Sequence, residues 1–458
     1  MNMKRSCIFL AAVLLGCGSA WSQVTTATLY GTVTDPSGAA VPGASVILVH
    51  AETNTTTVRT ADSSGEFTFD FLRVGSYSAR VEAQGFKKYD LKGLDLTAAQ
   101  TVRQTFALEL GSVTETVNVE ASAPLVNTAT SEQVQTFEGM KVTELPLARR
   151  NVSSILRLSA GVDSGSGRSP RLNGIGASGT GISVDGTDAN SNPEQRSMAQ
   201  YGARNYIDVV SIDAVQEVQL VRGILPAEYG SVVGGQVNLI SKSGTNQWHG
   251  TVFENYQSHV LNARNPFVAA RRADGTEIRK PRIVFNQFGG TLGAPIIKDR
   301  VFGFVTYEGY RESASRRVNG TVPTQPYRNE ILRALPLPET KALLDVLPLP
   351  NAPINADVGT FEGIRNATSR ENHFVAKGDA RLTSLSNLAV TYTRMRPFGL
   401  DPSYYSGGAN DRTYAYVQDR VTTSFTTGGA RWMSESRFGW NFNDMKRLLC
   451  TIGLSCAW

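Results

Sequence analysis

Each stretch of this chain that imitates a reactive or ligand-binding motif falls short of the setting such a motif needs. Residues 174–179, Gly-Ile-Gly-Ala-Ser-Gly, satisfy the G-x-G-x-x-G spacing that lets backbone amides approach a pyrophosphate. That use requires a strand before the glycines and a helix N-terminus after them. Here the chain passes into Ile182-Ser183-Val184 and an Asp-Gly turn, so dinucleotide binding is not expected. Asp188-Ala189-Asn190-Ser191-Asn192 begins like a calcium loop, but Pro193 stands where such a loop turns on Gly and Ala199 where it closes with Glu. Only loose surface calcium is left open. The four histidines, His50, His249, His259 and His373, show no H-E-x-x-H spacing, and no nucleophile is paired with a positioned base. No enzymatic activity, cofactor or resident metal is expected.

What remains is recognition through backbone and loops. Glu115-Thr116-Val117-Asn118-Val119-Glu120-Ala121 is an extended segment with Thr116, Asn118 and Glu120 on one face and Val117 and Val119 on the other. A partner can take such a segment by β-augmentation, reading backbone groups and alternate side chains. It also suits the last strand of a preceding domain, or a linker. Residues 190–205 are polar and rich in Asn, Arg and Gln, and Arg196, Tyr201, Arg204 and Tyr206 are the candidates for ligand contact.

The elements that position these residues are mostly strands. Residues 29–33, 44–50, 55–60, 66–69, 76–83 and 101–110 read as short strands at regular spacing, with Asp35-Pro36-Ser37-Gly38 as a turn, which predicts a small β-sandwich. Ile155, Leu156 and Leu158 predict a helical face ending at Gly161. Arg171-Leu172-Asn173-Gly174 and Ser183-Val184-Asp185-Gly186 carry Asn-Gly and Asp-Gly hairpin signals. From 213 to 250 a short helix or strand ends at Gly223, a strand runs through Val237 and Leu239, Ser243-Gly244-Thr245-Asn246 turns, and Trp248 opens the next strand.

Beyond Gly244 the alternation changes character. Phe374, Ala376, Ala380 and Leu382 alternate with His373, Lys377, Asp379 and Arg381. Leu388, Val390 and Tyr392 alternate with Ala389, Thr391 and Thr393, and Phe438, Trp440 and Phe442 with Gly439, Asn441 and Asn443. One face apolar and aromatic, the other polar, is the pattern of a membrane wall, although a soluble sandwich shares it. Residues 321–372 are expected as a long outer loop with a short helix near 339–345.

Composition sets the class. The chain has 458 residues and a formal charge of +5, small for its length and dispersed, so a nucleic-acid footprint is not expected. No apolar run is long enough for a membrane-spanning helix. Lys4 and Arg5 precede an apolar run from Cys7, and Ala20-Trp21-Ser22 offers a cleavage site, so residues 1–22 read as a signal peptide. Leu14-Leu15-Gly16-Cys17 leaves lipidation at Cys17 as the alternative.

Several stretches carry a specific resemblance: GTVTDPSGAAVPGASV from Gly31, PAEYG from Pro226, GGQVNLISKSGTNQWHG from Gly234, LNARNPF from Leu261, NQFGGTLGAPI from Asn286 and VFGFVTYEGYR from Val301. Through them the chain resembles the TonB-dependent outer-membrane receptors, in the Oar-like branch with an amino-terminal carboxypeptidase-regulatory-like domain. The resemblance implies a mainly β protein. Residues 23–112 would be a transthyretin-like sandwich, grouped with carbohydrate-binding-like folds. Residues 113–122 would be a TonB-box-like segment, 123–243 an α+β plug, and 244–458 the first part of an antiparallel transmembrane β-barrel. It implies a bacterial outer-membrane location with the sandwich in the periplasm. The partners would be a TonB-type energy-transducing complex, outer-membrane lipid, barrel-assembly machinery and an unidentified ligand. The expected function is energy-coupled uptake; the alternative is an outer-membrane binding or adhesion protein, with Tyr77, Phe86 and Tyr89 stacking on sugar if they do not serve the core. Plugged barrels have about 22 strands, whereas roughly 210 residues after Gly244 supply seven to nine. An incomplete, frameshifted or prematurely stopped receptor is therefore expected, although Cys450, Ile452, Leu454, Cys456 and Trp458 alternate like a closing strand.

Overall fold

The computed structural model describes residues 25–111, 116–120, 132–139, 145, 150–163, 171–175, 180–189, 209–225, 229–230, 232–264, 280–402, 412–429 and 432–449. The expected leader with Cys17, the candidate contacts Arg196, Tyr201, Arg204 and Tyr206, and residues 450–458 lie outside these.

Turn chemistry cuts the first hundred residues into short strands. The Asp35 carboxylate accepts the amides of Ser37 and Ala39, each at 2.9 Å, and Asp62 accepts those of Ser64 and Glu66 at 2.8 and 2.9 Å. In both turns a side chain replaces a backbone acceptor, so the chain reverses without leaving amides unpaired. The strands are β1 (Ala27–Thr34), β2 (Ser45–His50), β3 (Thr56–Thr60), β4 (Glu66–Leu72), β5 (Gly75–Glu82), β6 (Lys88–Leu96), β7 (Thr101–Ala107) and β8 (Thr116–Glu120). They form two sheets, β4-β1-β7 and β3-β2-β5-β6-β8. Leu29, Leu48, Phe69, Val81 and Phe106 are buried between the sheets, each contributing about 2 kcal/mol by leaving water.

Strand β6 is absent from the sequence reading because its alternation breaks. Tyr77 pairs with Leu94 but Ala79 with Leu91, so a bulge at Lys92-Gly93 shifts the register and hides the period of two. Tyr77 is 5% exposed and donates to the Arg73 carbonyl at 2.8 Å. Phe86 and Tyr89 pack against the same core. The aromatics read as possible sugar platforms are spent on packing.

The middle unit holds β9 (Glu132–Glu138), a one-turn helix α1 (Val152–Leu156), β10 (Val162–Asp163), β11 (Arg171–Leu172), β12 (Thr180–Val184), β13 (Thr187–Asp188), β14 (Val215–Gly223) and β15 (Gly235–Ser241). Asn151 caps α1 by accepting the Ser154 amide at 3.0 Å. Ile155 and Leu156 are buried, but Leu158, expected on the same face, is 53% exposed because the helix ends before it. The main sheet runs β13-β12-β15-β14-β9, and the ambiguous 213–223 segment resolves into a 3-10 turn, Ile212–Ala214, followed by β14. Asp185 and Gly186 take φ of +48° and +75°, the primed turn that joins β12 to β13.

The rest is one antiparallel sheet of long strands: β16 (His249–Ser258), β17 (Ile283–Ile297), β18 (Val301–Pro323), β20 (Val358–Thr383), β21 (Ser386–Met395), β23 (Arg412–Gly428) and β24 (Met433–Leu449). Short β19 (Ala352–Pro353) and β22 (Phe398–Asp401) pair with β20. Tyr307, Phe374, Val390, Phe438, Trp440 and Phe442 face outward and exposed, while Thr306, Glu308, Val375 and Thr391 on the other face are buried. The chain enters this wall at Gly244, where a Cβ would stand 2.4 Å from the Gly303 carbonyl oxygen. Short turns close one side of the sheet and long connections the other.

The expected loop at 321–372 is shorter than that reading. β18 and β20 stay paired from Val301↔Ala380 to Pro323↔Val358. Between them only short β19 pairs with the sheet, and the chain forms α2 (Gln325–Ala334) and α3 (Pro338–Val346). The ribbon was hidden because, past the apolar band, apolar residues such as Val318, Val322 and Ile364 are too scattered among polar ones to set a period.

Candidate functional site

The middle unit sits in the concave side of the wall, and the seam between them is the candidate site. Phe304, Val375, Met395 and Tyr416 of the wall join the apolar core of the middle unit, and the polar contacts around them begin at turns or strand ends of the middle unit. Arg150, just before α1, donates to Asp213 at 2.9 Å and lays its guanidinium 4.8 Å from the Phe253 ring centre. Gln287 on β17 reads both backbone groups of Arg150: its Oε1 accepts the amide at 3.3 Å and its Nε2 donates to the carbonyl at 2.8 Å. The same Nε2 donates to Glu308 on β18 at 3.0 Å, and the Ser211 hydroxyl donates to the other Glu308 oxygen at 2.5 Å. His373 on β20 stands opposite Glu308 in the ladder. Burial pushes the Asp213 carboxyl up against the pull of Arg150 and Lys242, and burial pushes the Lys242 ammonium down.

A second cluster forms around the Asp185 turn. The Asp185 carboxylate accepts the Ser241 amide at 2.9 Å, the Ser241 hydroxyl at 2.6 Å and the Thr391 hydroxyl at 2.7 Å, with the Lys377 ammonium 3.8 Å away. Burial alone would raise this carboxyl; Lys377 and these donors together outweigh it and hold it below the usual carboxylate range. Lys377 also donates to the Ser241 carbonyl at 3.1 Å. Farther round, Thr187 meets Thr422 at 2.8 Å, and Arg420 and Asn441 both donate to the Asp188 carbonyl, at 2.8 and 3.0 Å. Seven wall strands, β16, β17, β18, β20, β21, β23 and β24, therefore hold the middle unit. Among the described residues no cluster of His, Cys, Asp and Glu could hold a metal ion.

The candidate augmentation segment is elsewhere. Thr116–Glu120 forms β8, parallel to β6 at the edge of the sandwich sheet, with Val117 and Val119 half-buried and Asn118 exposed. Glu115 and Ala121 lie outside the described residues. The seam residues Asp185, Gln287, Glu308, Lys377 and Arg420 were not singled out as a site in the sequence. For Glu308, Lys377 and Arg420 the one signal is a lone charge on the inward face of a strand, and it names no partner; Asp185 stood out only as a turn residue and Gln287 not at all.

Residues 240–448 match the outer membrane β-barrel domain family, and residues 28–109 match the carboxypeptidase regulatory-like domain family. The chain is also similar to the TonB-dependent transporter Oar of Myxococcus xanthus, 26% identical over 317 residues, covering 67% of this chain and 28% of that protein. Together these two domains and this similarity are the features of the TonB-dependent outer-membrane receptors. A second relative of this receptor is the probable TonB-dependent siderophore receptor PirA of Acinetobacter baumannii, 28% identical over 244 residues, covering 48% of this chain and 29% of that protein. Among solved structures, the outer membrane transporter YddB from Escherichia coli aligns with a TM-score of 0.46 at 13% identity, covering 67% of this chain and 38% of that one. The receptor chain spans less than a third of the length of the two relatives named first. It is a bacterial outer-membrane protein of a transporter family that is not enzymatic.

Proposed function

We propose that the chain works as an energy-coupled outer-membrane receptor: residues 123–243 are the plug, 113–122 hold the segment grasped by a TonB-type protein, and a ligand passes where the plug yields. Residues 23–112 are a transthyretin-like sandwich in the periplasm. The observation that carries this reading is the seam. The apolar core of the middle unit, including Ile155, Leu156, Leu220 and Leu239, reaches the wall only at Phe304, Val375, Met395 and Tyr416 among the described residues, and the rest of the seam is hydrogen bonds and ion pairs. Water can replace such contacts at a small net cost for each, about 1 kcal/mol, whereas exposing a core cannot be offset that way. A plug bound like this can shift without unfolding.

Coupling then begins at β8. A TonB-type partner that adds a strand there takes the segment from β6, exchanging one ladder for another. The test is capture of the periplasmic domain of the host's TonB by the receptor. Val117→Pro removes a backbone donor, and capture is expected to fall at least tenfold; capture equal to wild type would remove β8 from the reading.

A further inference from the structure

The sandwich is not hung loosely from the rest of the chain. The loop between β6 and β7 carries Ala98, which is 3% exposed and lies against Val74 and Ile240. The neighbouring amides of Ala99 and Gln100 bond to Thr26 and Thr97 within the sandwich. The peptide groups of Ala98 turn instead to the plug strand β14. Its amide donates to the two Glu217 oxygens at 3.3 and 3.2 Å, and its carbonyl accepts Gln219 Nε2 at 2.5 Å. Gln219 also donates to Glu217 at 2.6 Å. Residues two apart on one strand face offer an acceptor and a donor side by side, as a neighbouring strand would. Glu217 and Gln219 are buried, at 2% and 0% exposure, by this contact and the sheet around them.

The rim of the contact follows the short-turn side of the wall. Arg73 pairs with Asp379 at 3.2 Å, Arg381 donates to the Thr56 carbonyl at 2.8 Å, and Arg437 to the Thr25 hydroxyl at 2.8 Å. Asn246 donates its amide to the Glu52 carbonyl at 3.0 Å, and Asn54 reaches Asp299 in the β17–β18 turn at 3.2 Å. In outer-membrane barrels the short turns are periplasmic. A cavity of about 190 Å³, lined by His50, Ser243, Lys377 and Thr391 among others, lies between sandwich, plug and wall.

We propose that the sandwich is a docked cover over the periplasmic mouth, latched by the grip of Glu217 and Gln219 on the Ala98 peptide, and that it must undock before anything leaves by that mouth. The exit route rests on the receptor reading above; the docking does not.

The test is the access of a bulky thiol reagent to this cavity. Ser243→Cys, with the native cysteines replaced by Ser, is reacted with a 5-kDa polyethylene-glycol maleimide in permeabilised outer-membrane vesicles. Labelling is expected to be slow in this parent and at least tenfold faster with Glu217→Ala and Gln219→Ala together. Arg73→Ala, which touches the cover alone and leaves the plug sheet intact, is expected to accelerate labelling as well. Hydrogen exchange of β12 and β15 identifies a latch variant whose plug has unfolded, and in that case the Arg73→Ala rate decides. Fast labelling of the parent, or equal rates in parent and Arg73→Ala, overturns the proposal. The readout uses neither ligand nor TonB, so a receptor that fails to couple leaves it unchanged.

Discussion

At Asp185 three donors and a nearby ammonium converge on one carboxylate, and the turn that presents it requires a positive φ. Asp185→Asn keeps the shape but leaves Lys377 buried beside a neutral amide. Breaking a buried pair from one side costs about 3 kcal/mol or more, so guanidinium unfolding of the receptor in detergent is expected to shift by that order. Lys377→Met in the same chain is expected to recover part of the loss. His50 offers a pH test within the sandwich. Its ring is 3% exposed, edge-on to Tyr77 at 4.8 Å and bonded to Thr53 and the Val74 carbonyl. Burial, helped by Arg73, pushes it from the usual 6.5 down to about 4. The unfolded chain therefore binds the proton first: the stability is full above pH 6.5 and drains away as pH falls toward 4, on the order of 3 kcal/mol in all. Denaturation of the sandwich at pH 7.5 and 4.5 checks this, and His50→Gln is expected to flatten the difference. The burial of Tyr77 was legible only as a choice between core and surface. One sequence period cannot tell which face of a strand another sheet will cover.

Among the elements, the turns were the most legible, because Asp35 bonds to its own neighbours and Asp185-Gly186 sets the turn through its own backbone angles. Strand β6 was not, since a single bulge moves half its side chains to the opposite phase. The outer ribbon escaped notice for a related reason: with no lipid on one side, nothing forces its residues to alternate. What holds its tip is also long-range. Arg328 of α2 is buried and donates to the Pro323, Leu344, Leu347 and Pro348 carbonyls at 3.1, 2.9, 2.9 and 2.5 Å. The Pro323 oxygen lies just before α2, and the other three lie at and beyond the end of α3, where a helix leaves its last carbonyls unpaired. Arg328→Lys supplies too few donors in the wrong geometry. Hydrogen exchange in 338–347 is expected to quicken at least tenfold while the Val301–Arg311 stretch of β18 keeps its protection.

For the whole molecule, three bodies are joined by hydrogen bonds between residues far apart in sequence, from the Ser211–Glu308 bond, 97 positions, to the Arg437–Thr25 bond, 412 positions. Such pairings leave no trace in local pattern, so the domains were readable and their docking was not. Docking also carries a proton dependence. Burial pushes Glu217 from the usual 4.5 to about 7, with Glu138 adding to the rise while the Ala98 amide and Gln219 oppose it. Undocking returns this carboxyl toward water, so the docked form holds the proton more tightly. The stabilisation is complete below about pH 4.5 and disappears as pH rises through 7. Spin labels at Thr105 and Ser434 are expected to report more separated pairs at pH 8.5 than at pH 6, and Glu217→Gln is expected to remove the change.

The 23- and 26-residue strands β18 and β20 have one more consequence. About ten residues are enough to cross the hydrocarbon, and the dozen or so beyond them carry the helical tip as much as 40 Å along the ribbon. The ribbon is a mast. The molecule's first encounter with its surroundings takes place well clear of the bilayer, where an object far wider than the lumen can still be touched.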